Sequence, residues 1–153
     1  MTAPNHALAG ALIGLTISNP VLALPLAFLS HFVCDAIPHY DPPERDSGKL
    51  YGTKKFEQML WLQAAVCGVI VLVLESGRPQ HWVAAAIGAF LAASPDFFWI
   101  PMFLKTRRTG KRPPTRNWFL RFHAWVQWRT GPKWIWLEAA WFATFGALLI
   151  AKL

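Results

Sequence analysis

Charged side chains are scarce in this sequence. They make up 15% of its 153 residues, whereas 54% of the residues are hydrophobic. Soluble domains carry about 25% charged residues, because their surface has to face water. The composition therefore argues against an ordinary soluble domain and indicates an integral membrane protein.

Several signatures of common enzyme classes are also missing. The sequence has no CxxC pair, no phosphate-binding glycine loop and no recognisable Ser–His–Asp arrangement. Its two cysteines, Cys34 and Cys67, each lie in an apolar run, where cysteine acts as a small hydrophobe rather than half of a disulfide. The first residues lack a basic region, so we expect no cleavable signal and a retained first helix.

The apolar segments that are present predict an all-α fold. A membrane-spanning helix needs roughly 20 apolar residues. The pattern predicts a polytopic membrane helical bundle, a single domain over residues 1–153, with one interfacial helix at 117–129. About five short transmembrane helices are predicted, at 5–18, 21–37, 57–74, 81–104 and 133–151.

The first two segments leave two alternatives open. Residues 5–18 are short for a span, so they could form a thin or tilted helix or half of a re-entrant hairpin. Gly10 and Gly14 are four residues apart. They either form a stripe for close helix packing or are simply tolerated in a membrane helix.

Lysine and arginine predict the orientation. With five spans, thirteen basic residues fall on one side of the membrane and two on the other. Cytoplasmic loops carry the excess of Lys and Arg, so we expect a multi-pass inner-membrane protein with its N-terminus in the cytoplasm. The C-terminus is expected on the periplasmic or extracellular side.

Ionisable residues in the predicted spans converge on the cytoplasmic end. His31 and Asp35 are four residues apart, hence on one helical face and about 6 Å apart along the axis. Asp96 belongs to the fourth span, and His6 opens the first helix at the same end. Such groups are costly inside a membrane and therefore indicate a functional site. Glu138, near a span end, is expected to be solvated.

Imidazole and carboxylate ligands together suit a divalent metal, zinc first and manganese or iron as alternatives. The candidate metal ligands are His6, His31, Asp35, His39, Asp41, Asp96 and His123. The candidate catalytic residues are Asp35, Asp96 and Arg121. In the alternative without metal, His31 and Asp35 form a hydrogen-bonded pair in a wet cavity and the other residues have structural or interfacial roles.

An early His ahead of a Gly-spaced apolar helix, followed by HFVCDAIPHYD, resembles the small bacterial membrane proteins known as metal-dependent hydrolases. The likeness covers residues 6–41, and His6, Asp35 and Asp41 match best. The later family segment that contains His and Arg has its nearest counterpart in RFHAWVQW, with His123. The resemblance implies a metal-dependent hydrolase.

The preferred hypothesis is therefore a membrane-embedded, metal-dependent hydrolase at the cytoplasmic leaflet, acting on a phosphoester or lipid. Its expected partners are the lipid bilayer and anionic head groups near 105–116, a segment with six basic residues and no acid. That segment could instead serve only to fix topology, and no nucleic acid is expected. The alternative is a non-enzymatic protein: a subunit of a homo-oligomer or larger membrane complex, or a metal or proton transporter. The outer halves of the spans contain no acid or histidine, which argues against transport.

Overall fold

A computed structural model describes residues 1–42 and 53–153. Within this part of the chain the regular secondary structure is helical, and an isolated bridge joins His39 to Thr130. The all-α prediction is thus confirmed. Two of the thirteen basic residues, Arg45 and Lys49, lie outside the described residues. The helices are α1 Ala3–Thr16, α2 Pro20–Ala36, α3 Lys54–Gly77, α4 Trp82–Ala93, α5 Ile100–Thr109, α6 Trp118–Val126 and α7 Ile135–Ile150. Two 3-10 segments, Ser94–Trp99 and Pro132–Trp134, join α4 to α5 and lead into α7.

Polar caps explain where three of these helices begin. The side chain of Asn19 accepts a hydrogen bond from the backbone N–H of Val21 at the start of α2. Asn117 does the same for Phe119 at the start of α6, at 2.8 Å, and Thr53 caps α3. Each cap satisfies an N–H group that has no partner within its own helix.

Three helical units in the described part of the chain are candidates for membrane spans, and the predicted count of five is not confirmed. The helical units Lys54–Gly77, Trp82–Thr109 and Pro132–Ile150 are long and apolar enough to cross a membrane. The second of these continues through the 3-10 segment into α5 and ends at Thr109, beyond the predicted end at residue 104. With 17 and 14 residues, α2 and α1 reach only about 26 Å and 21 Å, against a hydrocarbon core of about 30 Å.

Helix α1 lies at the centre of the bundle. It contacts α2, α3, α4 and α7, and most of its side chains are buried. A Cβ built on Gly88 of α4 would lie 2.5 Å from the carbonyl oxygen of Gly10, and one on Gly14 would lie 2.5 Å from the Cα of Ala85. The glycines of α1 therefore form a stripe against which α4 packs backbone to backbone, the first of the two alternatives above.

Small side chains fill the interior and large apolar ones face outward. Half of the buried hydrophobic residues are alanines, among them Ala11, Ala23 and Ala85. The exposed faces carry Leu, Val, Ile, Phe and Trp, such as Val21 at 76% and Trp61 at 71% exposure. In water this distribution would be unfavourable, whereas in a bilayer small residues are expected between helices and large apolar ones against lipid.

Contacts at the helix ends show which segments share an end of the bundle. The backbone N–H of Ala3 donates to the side chain of Gln63 on α3 at 2.9 Å. Thr2 donates to Glu138 on α7 through both its N–H and its hydroxyl. At the opposite end, Gly77 meets Leu153. The two ends of the chain therefore lie at opposite ends of the bundle.

The prediction that Glu138 is solvated is wrong. Its side chain is 5% exposed and accepts hydrogen bonds from Thr2 and from the side-chain amide of Asn5, the latter at 2.6 Å. A carboxylate near the start of a helix tolerates burial when several donors surround it. Here α1 supplies those donors.

Candidate metal centre

Asp35 is the centre of a buried polar group at the end of the bundle that contains the N-terminus. It lies in the last turn of α2 and is fully buried. One carboxylate oxygen, Oδ1, contacts the amino group of Met1 and lies 3.1 Å from Nε2 of His6. The other, Oδ2, accepts hydrogen bonds from His123 at 3.0 Å and from the side-chain amide of Gln127 at 2.7 Å. Asp35 thus joins α1, α2 and α6.

His31 points one ring nitrogen into this group and uses the other to fix its orientation. Its Nδ1 lies 2.8 Å from the carbonyl oxygen of Ala92 on α4, which can only accept, so Nδ1 carries the proton. The lone pair of Nε2 then faces Asp35 Oδ2, at 3.3 Å, and Nε2 of His123, at 2.8 Å. Metal-binding histidines are usually held in this way, by a backbone carbonyl on the distal nitrogen.

Three potential ligand atoms are spaced as around one metal ion. His31 Nε2, His123 Nε2 and Asp35 Oδ2 lie 2.8, 3.0 and 3.3 Å from one another. Ligands 2.0–2.1 Å from a tetrahedral zinc ion lie about 3.3 Å from one another. The three atoms therefore fit three positions of a tetrahedral site. Asp96, 34% exposed, lies at the open side, with its Oδ1 3.9 Å from His31 Nε2 and 3.6 Å from His123 Nε2.

His6 adds an overlapping set of ligands. Its ring stacks on that of His31, with centroids 4.0 Å apart. His6, His31 and Asp96 offer ligand atoms within 4.8 Å of one another, as do His31, Asp35 and His123. His31 has only Nε2 to offer, since Nδ1 is bound to Ala92. The two sets could therefore not each hold a separate ion through His31.

Two buried histidines have nitrogen atoms without a hydrogen-bond partner among the described residues. They are Nδ1 of His6 and Nε2 of His39, whereas Nε2 of His6 lies within ion-pair distance of Asp35 Oδ1, at 3.1 Å, but without hydrogen-bond geometry. Nδ1 of His39 bonds the carbonyl oxygen of Ile37 at 2.8 Å, so its Nε2 holds a lone pair, 3.9 Å from Asp35. Burial lowers the pKa of His39 to about 4, so the ring is neutral near pH 7. Buried polar atoms without a partner are uncommon, and here they face a cluster of potential metal ligands.

A backbone bridge holds α6 over α2 and so positions His123. After α2 ends, the N–H of His39 donates to the carbonyl oxygen of Arg129, and the N–H of Gly131 donates to that of His39, both at 3.2 Å. Gly131 has a φ of 151°, which favours glycine. The loops that follow α2 and α6 are thereby joined directly beside Asp35.

Trp99 offers a second state for His123. Its indole N–H, which can only donate, lies 3.1 Å from Nδ1 of His123. When Nδ1 accepts this bond, the neutral ring carries its proton on Nε2 and donates it to Asp35. Binding of a metal at Nε2 requires the opposite tautomer, and therefore loss of the bond from Trp99.

The structure thus brings together His6, His31, His39, Asp35, Asp96 and His123. It does not bring in the other two candidates. Asp41 lies past the bridge and is not among the converging ligands. Arg121 is exposed, two residues before His123, and two residues turn a helix by about 200°, so its side chain leaves α6 away from the site.

No local sequence pattern indicated the contribution of Trp99 or of the Met1 amino group. Both act over long sequence separations, 24 residues for Trp99 with His123 and 34 for Met1 with Asp35. Gln127 was detectable, since it lies one helical turn after His123.

Comparison of the chain with protein-family models, with curated proteins and with solved structures gives no match.

Proposed function

We propose that the protein is a membrane-embedded, metal-dependent hydrolase that acts on a phosphoester at the cytoplasmic leaflet. The supporting observation is the spacing of the ligand atoms of His31, His123 and Asp35, which fits three positions of a tetrahedral site and leaves the fourth open beside Asp96. A mixed nitrogen and oxygen ligand set of this kind favours zinc, with manganese or iron as alternatives.

The orientation is part of the proposal. The sequence assigns thirteen of the fifteen basic residues to one side of the membrane, and eleven of these thirteen lie in the described part of the chain. By the positive-inside rule that side is the cytoplasmic one, and the C-terminus faces the periplasm or the exterior. In the segment 105–116, all six basic side chains are exposed, which suits contact with anionic head groups.

The reaction needs a water molecule, a base and stabilisation of phosphate charge. In hydrolysis the water oxygen bonds to phosphorus, the ester P–O bond breaks, and a water proton ends on the leaving alcohol. Asp96, at the partly exposed side, is placed to take that proton and return it to the leaving oxygen. A divalent ion, when bound, would lower the pKa of the attacking water and neutralise negative charge on the phosphate. Asp35 holds its three neighbouring histidines in place.

The test is hydrolysis of labelled bacterial phospholipids by the purified protein with added zinc or manganese. Wild type should release a product that depends on metal, and Asp35→Asn should release none while remaining folded. His81→Asn is the matched control, because His81 lies at the opposite end of the bundle. Absence of a metal-dependent product across head-group classes would contradict the proposal.

A second candidate function, a non-catalytic subunit of a larger membrane complex, is favoured by one observation. Trp99 donates a hydrogen bond to His123, and His123 donates one to Asp35, so the polar groups in this series have partners without a metal. Such a network rigidifies a helix end without any metal. A hydrogen-bonded site would bind no metal stoichiometrically, which separates this candidate from the hydrolase.

A further inference from the structure

An apolar cleft lies between α2 and α6, beside the metal centre. Its volume is about 700 Å³. It is lined by Phe32, Val33 and Ala36 from α2 and by Phe122, Trp125 and Val126 from α6. None of these side chains can hydrogen-bond except the indole of Trp125, so the cleft selects for hydrocarbon.

The cleft and the metal centre share a wall. Phe32 follows His31 and Phe122 precedes His123 in the sequence. On each helix, neighbouring residues therefore face the cleft and the metal centre. The Phe32 ring packs edge-on against both histidine rings, at 5.2 Å from His31 and 5.8 Å from His123. A chain in the cleft would therefore bring an attached polar group close to the ligands.

The rim of the cleft is exposed and basic. Val33 is 65% and Trp125 73% exposed, and Trp128, at 65%, carries the guanidinium of Arg129 4.4 Å above its ring. Arg121 is exposed on α6 as well. Apolar walls with cations at one end are complementary to a hydrocarbon chain with an anionic head group.

The outer face of α2 indicates where such a ligand comes from. Leu22, Leu26, Leu29 and Val33 follow one another along this face at 45–65% exposure and lead into the cleft. A continuous apolar surface of this kind faces the bilayer in the proposed arrangement, so the ligand can enter sideways from the leaflet.

We propose that the cleft between α2 and α6 binds one acyl chain of an anionic phospholipid and presents its phosphate to the metal centre. The inference rests on the proposed function and names its substrate class. Arg129, whose guanidinium lies over the Trp128 ring at the rim, then holds the phosphate, and Arg121 stays outside the metal ligands.

Native mass spectrometry of the detergent-solubilised full chain, titrated with palmitoyl-oleoyl phosphatidylglycerol, tests lipid binding directly. Wild type should retain one lipid per chain, and Ala36→Trp, which fills the cleft, should weaken retention at least fivefold. Leu72→Trp on α3 is the control: that side chain is 60% exposed and does not belong to α2 or α6, so the variant should bind as wild type does. If Ala36→Trp does not fold, Val33→Trp serves the same purpose, because that side chain is largely exposed.

Equal retention by wild type, Ala36→Trp and Val33→Trp would overturn the inference. So would equal retention of phosphatidylcholine, since the basic rim predicts a preference for a net negative lipid. A variant that changes the number of chains per particle instead would make the cleft an interface between copies and would also overturn it.

A hydrolysis assay separates this inference from the proposed function. Cleft variants should lose activity on long-chain phosphatidylglycerol while keeping their metal content and their activity on a water-soluble phosphodiester. If the cleft variants lose activity on neither substrate, the proposed hydrolase function stands and the proposed lipid-binding role of the cleft is contradicted. Lipid retention by a protein that hydrolyses neither substrate contradicts the hydrolase and leaves the cleft standing.

Discussion

The two ends of the bundle differ in the side chains that they bury: one end buries apolar residues and the other buries ionisable ones. At one end, Leu15, Leu74, Ala85 and Leu149 are buried against each other in an apolar cluster. At the other, His6, His31, Asp35 and His123, from α1, α2 and α6, are equally buried. Burial of apolar area stabilises a fold, whereas burial of ionisable groups costs free energy unless they are paired. The comparison indicates that the apolar end and α1 hold the fold, and that the polar end is retained for a function.

The largest effect on stability should follow from disrupting the contact between α1 and α4, on which both ends of the bundle depend. Gly88→Val places side-chain carbon against the backbone of α1, where even a Cβ lies 2.5 Å from the Gly10 carbonyl oxygen. We expect the free energy of unfolding to fall by about 3 kcal/mol. Denaturant titration in detergent measures this. The control is Gly68→Val on α3, where no described atom lies within 4 Å of a Cβ, and an equal loss there would contradict close packing as the cause.

The next effect should be confined to the polar end. Asp35→Asn keeps the size of the side chain but removes the negative charge, so metal affinity should fall at least tenfold. Isothermal titration with zinc measures it. Asp41→Asn, a change of the same chemistry outside the converging ligands, should leave the affinity unchanged. Equal losses in the two variants would show that the geometry has been misassigned.

A smaller effect, on the free energy of unfolding and not on metal binding, should follow from a change at Glu138. Glu138→Ala leaves the donors of Thr2 and Asn5 buried without an acceptor, at a cost of about 1–3 kcal/mol. Metal content should stay at the wild-type level. Glu75→Ala on α3, where the carboxylate is exposed, is the control and should change neither quantity. Loss of metal from Glu138→Ala would extend the centre to α7.

The smallest effect should distinguish the two states of His123. Trp99→Phe removes the donor to Nδ1, so the ring can carry its proton there and offer Nε2 to metal. Zinc affinity should rise by about two- to fivefold, while the free energy of unfolding without metal should fall by about 1 kcal/mol. Trp118→Phe, an exposed position on α6, is the control. A fall in affinity would mean that the hydrogen bond from Trp99 supports the metal site instead.

Sequence patterns anticipated the parts of the molecule that depend on local spacing. The pairing of His31 with Asp35 follows from four-residue periodicity, and their convergence with Asp96 and His123 follows from alternating helix direction. The count of five spans, which was predicted from hydropathy, is not confirmed. Helix α1 is apolar because it is buried among other helices, not because it is long enough to cross a membrane.

The remaining contacts depend on tertiary distances that no local pattern encodes. Glu138 is buried because α1 donates to it across 136 and 133 residues. Trp99 reaches His123 only because the 3-10 segment, which begins at Ser94, alters the helical phase of α4. Asp96 lies on the same segment, so its direction also follows from that local change in winding.

Metal analysis of the purified wild-type chain tests the central claim most directly. The account predicts close to one zinc, manganese or iron ion per chain, with nitrogen and oxygen neighbours at about 2.0–2.2 Å by X-ray absorption. The His31→Ala, Asp35→Ala double variant should hold none, and His81→Asn should hold as much as wild type. A wild-type chain with no more metal than the double variant would contradict the account and leave the buried group as a hydrogen-bonded helix end.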